Sequence, residues 1–325
     1  MKAVRVRDDE SHSLYLEDVA RPRPHSRQAL IRVCATAVNR ADLLQRHGLY
    51  PPPPGESDIL GLEIAGEIAE IGPSVAGWAI GNRVCCLLVG GAYAEYAVTD
   101  ADMLLPIPES LTFAEAAAIP EAFYTAFLNL FLEGGLQKGH VVLIHAGASG
   151  VGTAALQLAR AAGATVWVTV GSEEKRQRCM ALGAHFAINY TSEDFCEQIR
   201  QGTGGAGVNI ILDCVGASYF AKNLECLTVG GCLVIIGGMG GTHTDLDLIR
   251  LMRNRLRVIG SVLRSRSLTE KIAITKELRR RIWPLFEQKI IRPVVDSQFS
   301  LADVAAAHAR MANNQNVGKI ILTIP

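Results

Sequence analysis

The stretch HVVLIHAGASGVGTAALQLARAAGA, residues 140–164, decides how the chain is read. It opens as a run of apolar β-formers ending at Ala146. Glycines follow at 147, 150 and 152, and a helical apolar pattern then runs to a closing glycine at 163. Strand, glycine-rich turn and helix in that order make the phosphate-binding turn of a dinucleotide fold. In the G-x-G-x-x-G register, Gly147 permits the tight turn and Gly152 permits close packing of helix on strand. Ser149 takes the middle position with a small side chain and a hydroxyl. The free N–H groups of the helix start, at Gly150 and Val151, are expected to receive a pyrophosphate, assisted by the positive end of the helix dipole.

The same alternation of strand and helix extends outward. Apolar runs begin at His140, Ala164, His185, Val208, Cys232 and Leu256, separated by helical segments, two of which close on glycine. Runs this continuously apolar belong to strands covered by helices on both faces. They predict an α/β fold with a Rossmann, doubly wound parallel sheet. The first 120 or so residues differ: short alternating strands (AVRV, ALIRVCATAV, EIAGEIAEIG, RVCCLLV, AYAEYAV) are separated by Pro, Gly and Asp. This pattern suits a β-rich, partly barrel-like domain. The tail carries a helix, SLADVAAAHARMAN, with Ser300 as the expected N-cap, and ends in the strand pattern VGKIILTI. A lone terminal strand needs a sheet, so it is expected to rejoin the first domain. The nucleotide domain, 122–289, is then an insertion in a substrate domain made of 1–121 and 290–325.

Composition narrows the function classes. The 32 basic and 32 acidic residues balance, which argues against a strong nucleic-acid interface. No apolar run reaches a membrane-spanning length, and the charged start, MKAVRVRDDE, has no secretory apolar region. The eight cysteines form no CxxC pair and read as reduced thiols of a cytoplasmic protein.

The tip of the second strand bears on the choice of cofactor. NAD sites place an Asp or Glu there, on the ribose 2′-hydroxyl. Here the strand ends at Gly171 and Ser172 with no carboxylate, leaving room for a 2′-phosphate. Lys175, one turn into the next helix, and Tyr190, ending the third strand, are placed to reach it. Lys175 also reads as a plain surface lysine. Glu173 and Glu174 lie close by, at a helix start that favours acidic side chains. NADP(H) is therefore expected over NAD(H).

Several segments in order carry a family resemblance: NRADLLQRHGLYPPPPG from Asn39, GLEIAGEIAEIG from Gly61, PEAFYTAFLNLF from Pro120, the 145–160 turn and helix, GVNIILDCVG, LRSRSLTEK from Leu263, and NVGKIILTI. Over essentially its full length the chain resembles zinc-independent quinone oxidoreductases of the medium-chain dehydrogenase/reductase superfamily, closest to the tumour-suppressor-inducible group. The resemblance implies a GroES-like substrate domain and cofactor contacts at Tyr50, Gly147, Ser149 to Gly152, Gly171, Ser172, Lys175, Tyr190, Val215, Gly237, Gly238, Met239, Leu263, Arg264 and Asn316. It also implies a homodimer, with a tetramer as the alternative. Zinc enzymes of the superfamily carry a catalytic Cys and His in the segments seen here as NRAD and GLE. Asn39 and Leu62 stand there instead, so no metal is expected.

Without a Lewis acid the expected acceptor is a quinone or an electron-poor enone, which takes hydride readily and spreads the resulting charge. Asn39 has two readings: a hydrogen-bond partner of the reacting carbonyl or nicotinamide ribose, and a cap for the helix starting at Arg40. Tyr50, before the stiff 51–54 proline run, reads as a wall of the nicotinamide pocket, a proton donor, or a packing tyrosine. Glu63 reads as structural, and His47, His145 and His308 carry no assigned role. An enoyl or enone reductase and a non-enzymatic NADP(H)-binding protein are the alternatives.

Overall fold

A computed structural model describes all 325 residues and divides them into two units: Met1–Tyr124 with Arg264–Pro325, and Thr125–Leu263. The second crossing falls at Arg264 rather than near 290. The helix Leu268–Arg281 belongs with the first unit: Thr275 accepts a hydrogen bond from the Tyr124 hydroxyl at 2.8 Å, and its own hydroxyl contacts Met103 Sδ at 3.5 Å.

In the second unit six strands make one parallel sheet. Across it the order is Phe186–Asn189, Thr165–Val170, Val141–Ile144, Val208–Asp213, Leu227–Ile235 and Arg257–Gly260. In chain order this is 3-2-1-4-5-6, the doubly wound arrangement that places ligands beyond the carboxyl ends of strands one and four. Leu143, Ile211 and Leu233 from the middle strands are fully buried, matching their continuous apolar runs. The helices Gly150–Ala161 and Glu173–Ala181 end as the sequence implies, with Gly163 and Gly183 in the left-handed conformation just past them.

The first unit holds a seven-stranded sheet centred on Gln28–Val38, which pairs with Glu63–Ile71, Tyr96–Asp100 and the tail strand Lys319–Thr323. The tail strand thus rejoins the first sheet, with Ile320 opposite Val38, and this register carries Lys319 to the end of the central strand. The core beneath is built from Ile31, Ile64, Ile68, Tyr93, Ile320 and Leu322, all at most 1 % exposed. One local expectation is corrected. Ser300 heads a 3-10 turn, Leu301–Asp303, and the helix proper is Val304–Ala312. The Ser300 hydroxyl donates to Asp303 at 2.6 Å instead of accepting a backbone N–H, so it braces the turn without capping it. All eight cysteines are free thiols, and no helix is long and apolar enough to cross a membrane.

Candidate functional site

The nucleotide turn of the second unit is shaped by what side chains would collide with. Ala146, not Gly147, adopts the left-handed conformation (φ 52°) that turns the chain. Gly147 is needed for closeness instead: a Cβ there would sit 2.5 Å from Val168 Cβ. At Gly152 a Cβ would sit 2.3 Å from the Ala146 carbonyl oxygen, so turn and helix touch backbone to backbone. Ser149 is the N-cap, its hydroxyl accepting from Gly152 N at 3.0 Å. The N–H groups of Gly150 and Val151 stay available at the head of a twelve-residue helix.

The neighbouring turns gather around the same strand ends. At the second strand tip, Ser172 caps its helix by accepting from Lys175 N at 3.2 Å. Gly171 lies under the Tyr190 ring, where a Cβ would come within 2.7 Å of the hydroxyl. The tip carries no carboxylate; Glu193 is engaged with Asn189 N at 2.9 Å and Arg176 at 3.3 Å. Beyond the fourth strand, the Asp213 carboxylate accepts from Val215 N at 2.6 Å and from Gly216 N at 3.1 Å. The 237–240 turn is tied to it through Met239 N to Cys214 O at 3.2 Å and Gly240 N to Val215 O at 2.7 Å. Leu263 is buried at the end of this unit.

Beneath these turns His145 bridges Thr169 Oγ1 at 3.0 Å and Asn223 Oδ1 at 2.7 Å, while Asn223 Nδ2 donates to Asp213 at 3.1 Å. Burial pushes the His145 pKa down to about 4 against the opposing Asn223 bond. A lowered histidine contributes stability that is full above its unfolded value near 6.5 and is lost as pH falls through 4. Relative to His145→Gln, the wild type should therefore lose about 3 kcal/mol of stability as pH falls from 7.5 to 4. Urea unfolding at several pH values checks this; a gap constant with pH would contradict it.

The first unit contains a buried polar cluster, and Asn39 is at its centre. Its backbone stands at the N-cap of Arg40–Arg46, and Asn39 N donates to Asp42 Oδ2 at 2.8 Å. Its side chain turns away from the helix. The amide nitrogen donates to Glu63 Oε1 at 2.9 Å, and its oxygen accepts from Lys319 Nζ. Lys319 also lies 2.7 Å from Glu63 Oε1 and donates to Val38 O at 3.1 Å. Glu63 Oε2 accepts from Glu121 N at 2.8 Å. Asp42 is closed off by Gly61 N at 3.2 Å and the Tyr93 hydroxyl at 2.9 Å, with His308 Nε2 behind Tyr93 at 3.1 Å. Burial raises the Asp42 pKa to about 6, although the Asn39 and Tyr93 hydrogen bonds pull it back.

Tyr50 lies elsewhere in this unit, with the Arg264 guanidinium 5.1 Å from its ring centroid. Arg264 donates to Val89 O at 2.7 Å, Gln45 Oε1 at 2.7 Å and Tyr50 O at 3.2 Å, so its charge is engaged in holding these loops. Asn316, three residues before the tail strand, is buried and donates to Gly318 O at 2.8 Å. Sequence reasoning missed Asp42, Tyr93, Glu121, Asp213 and Lys319. A signal was present for Lys319, the one charge in the apolar run GKIILTI.

Two family descriptions match: a zinc-binding dehydrogenase over residues 150–277 and an alcohol dehydrogenase GroES-like domain over residues 25–109. The chain is 31 % identical to a rat quinone oxidoreductase over 94 % of its own length and 92 % of the relative. It is 34 % identical to a 2-haloacrylate reductase from a Burkholderia species, over 94 % and 93 %. Against a Mycobacterium tuberculosis mycocerosic acid synthase-like polyketide synthase it is 33 % identical over 91 % of its length, yet spans 14 % of that protein. Among solved structures, the Escherichia coli quinone oxidoreductase complexed with NADPH superposes with a TM-score of 0.89 at 27 % identity, covering 99 % of each chain.

Proposed function

We propose that this chain, which belongs to the medium-chain dehydrogenase/reductase superfamily, passes hydride from NADPH to a quinone or similarly activated acceptor without a metal. Its oxidoreductase character and its use of a nicotinamide cofactor follow from that membership.

The Lys319–Glu63–Asn39 cluster carries that reading. A zinc ion needs three side-chain ligands. Leu62 is apolar and buried, the Asn39 amide is engaged at both ends, and Glu63 is paired with an ammonium whose charge would repel a cation. Nowhere are three His, Cys, Asp or Glu side chains gathered with metal-binding geometry. These residues do not fit zinc. An acceptor that needs no Lewis acid follows.

The second unit fits NADP(H). Gly150 and Val151 would hold the pyrophosphate through their N–H groups, with Gly147 and Gly152 keeping the backbone close. Ser172, Lys175 and Tyr190 would hold the 2′-phosphate at the carboxylate-free tip. Val215 and the Gly237–Gly238–Met239 turn complete the rim, held in place by Asp213. When bound, the cofactor supplies a hydride. The chain's own part is to orient the acceptor and exclude water from the reacting face.

Tyr50 acts here as a wall. Burial raises its phenol pKa, the Glu121 charge raises it further, and Arg264 holds the ring. Tyr50→Phe should keep kcat within about threefold while the acceptor KM rises by about the same factor, since the face survives and only the hydroxyl is lost. A collapse of kcat would make the hydroxyl a participant.

A second copy is the proposed partner. Arg257–Gly260 is an edge strand of the parallel sheet, and Val258 on it is exposed, as are Val262, Leu248, Ile249 and Met252 nearby in sequence. An apolar open edge invites pairing. Sedimentation should show a dimer for the wild type and a monomer for Val258→Asp; a monomeric wild type would remove the proposal.

The functional test is NADPH oxidation across quinones, enones and enoyl thioesters. Quinones should be the best acceptors. Preference for alkenes would favour the enone reductase reading, which the 2-haloacrylate reductase similarity supports. Tight NADPH binding with negligible turnover over the whole panel would leave a non-enzymatic binding protein.

A further inference from the structure

Three carboxyls of the first unit, Asp42, Glu63 and Glu121, lie in the field of one buried ammonium, Lys319, which pairs with Glu63, and two of the three are saturated. Glu63 holds Lys319 and Asn39 on one oxygen and Glu121 N on the other. Asp42 holds Asn39 N and the Tyr93 hydroxyl on one oxygen and Gly61 N on the other. The Glu121 carboxyl, at the start of the helix Pro120–Phe127, has no hydrogen-bond or ion-pair partner. As a residue Glu121 is partly exposed, whereas Asp42 and Glu63 are completely sealed.

We propose that Glu121 is the general acid of the reduction, delivering the proton that the acceptor needs after it takes up hydride. This rests on the hydride-transfer reading above. A proton donor must be protonated at working pH, free of competing partners and accessible. Glu121 is free of competing partners, and the residue as a whole is partly exposed. Its surroundings meet the first: protein packs densely around it, so desolvation lifts its pKa to about 8. Glu63 and Asp42 raise the value further, Lys319 and Arg264 pull it back, and Glu121 is in turn felt by Tyr50 and Lys271.

The step balances. A quinone takes one hydride, two electrons with one proton, and becomes a hydroquinone monoanion. The O–H bond of Glu121 breaks as an O–H bond forms on the anionic oxygen, giving the hydroquinone and a Glu121 carboxylate. The carboxylate takes its proton back from solvent. With an enone, hydride goes to the β-carbon and the same proton quenches the enolate. Because the acid form is present below about pH 8, turnover should fall as pH rises through that value.

Glu121→Gln keeps the shape and removes the proton. At pH 7 its kcat should drop about 100-fold with an enone, whose enolate is the stronger base, and less with a quinone. The basic limb of the pH profile should disappear, and Glu121→Asp should restore part of kcat and the limb. Infrared difference spectra of wild type minus Glu121→Gln, taken without cofactor or acceptor, should show a protonated carboxyl at pH 7 that titrates near 8. The proposal is overturned if Glu121→Gln keeps the wild-type kcat and pH profile, or if the infrared band is absent at pH 7. The spectra report on the acid even where turnover fails, so loss of the reduction reading and loss of this one remain distinct.

Discussion

Replacing Lys319 by methionine should destabilise the first unit by about 3–5 kcal/mol, the cost of leaving one member of a buried pair without its partner. Glu63 is fully buried and Lys319 nearly so, and their contact is 2.7 Å. Methionine removes the ammonium and leaves the carboxylate only the Asn39 amide and Glu121 N–H. The damage should come from the orphaned charge more than from the lost attraction. The double variant Lys319→Met/Glu63→Gln should therefore recover more than half of the loss. Denaturant midpoints of the two single variants and the double variant check this. A single-variant loss below about 1 kcal/mol would mean that the cluster is solvated and does not position Asn39.

The other large effect belongs to Gly152. Even the methyl of Gly152→Ala would lie 2.3 Å from the Ala146 carbonyl oxygen and 2.6 Å from that of Gly147. Both obstacles are backbone, so the turn must open, and the Gly150 and Val151 N–H groups move off the pyrophosphate position. NADPH affinity should fall on the order of 100-fold, about 3 kcal/mol, in protein that still shows its native circular dichroism. Fluorescence titration on folded protein measures it. Affinity within threefold of wild type would show that the pyrophosphate is held elsewhere.

Periodicity and punctuation made most of the fold legible. Six apolar runs, two helices closed by Gly163 and Gly183, and a tail strand in need of a sheet are local patterns, and each appears in the structure. What the sequence hid was set by contacts between distant residues. Gly147 looked like the turn residue because it is a glycine, yet Ala146 takes the strained φ and Gly147 serves its contact with Val168, 21 positions on. Ser300 looked like a cap, and its hydroxyl went to Asp303.

The site was legible in the same uneven way. Asn39 was visible as a candidate, and its cap reading held for the backbone alone; its amide faces Glu63 and Lys319. Lys319 reaches Asn39 from 280 positions away only because Ile320 pairs with Val38. Glu121 carried no local mark at all. Its lack of a partner depends on Glu63 and Asp42 having taken every donor first, which no spacing rule encodes. Arg264 stood in a segment expected at the cofactor, and the structure engages it with Tyr50, Val89 and Gln45.

The most direct test of the central claim is the ratio of kcat/KM for NADPH to that for NADH, with one quinone as acceptor and a zinc chelator present throughout. The carboxylate-free tip at Gly171 and Ser172 and the Lys319-paired Glu63 predict quinone-dependent turnover that the chelator leaves unchanged, with NADPH preferred by at least tenfold. Turnover abolished by the chelator, or NADH used as well as NADPH, would contradict the account.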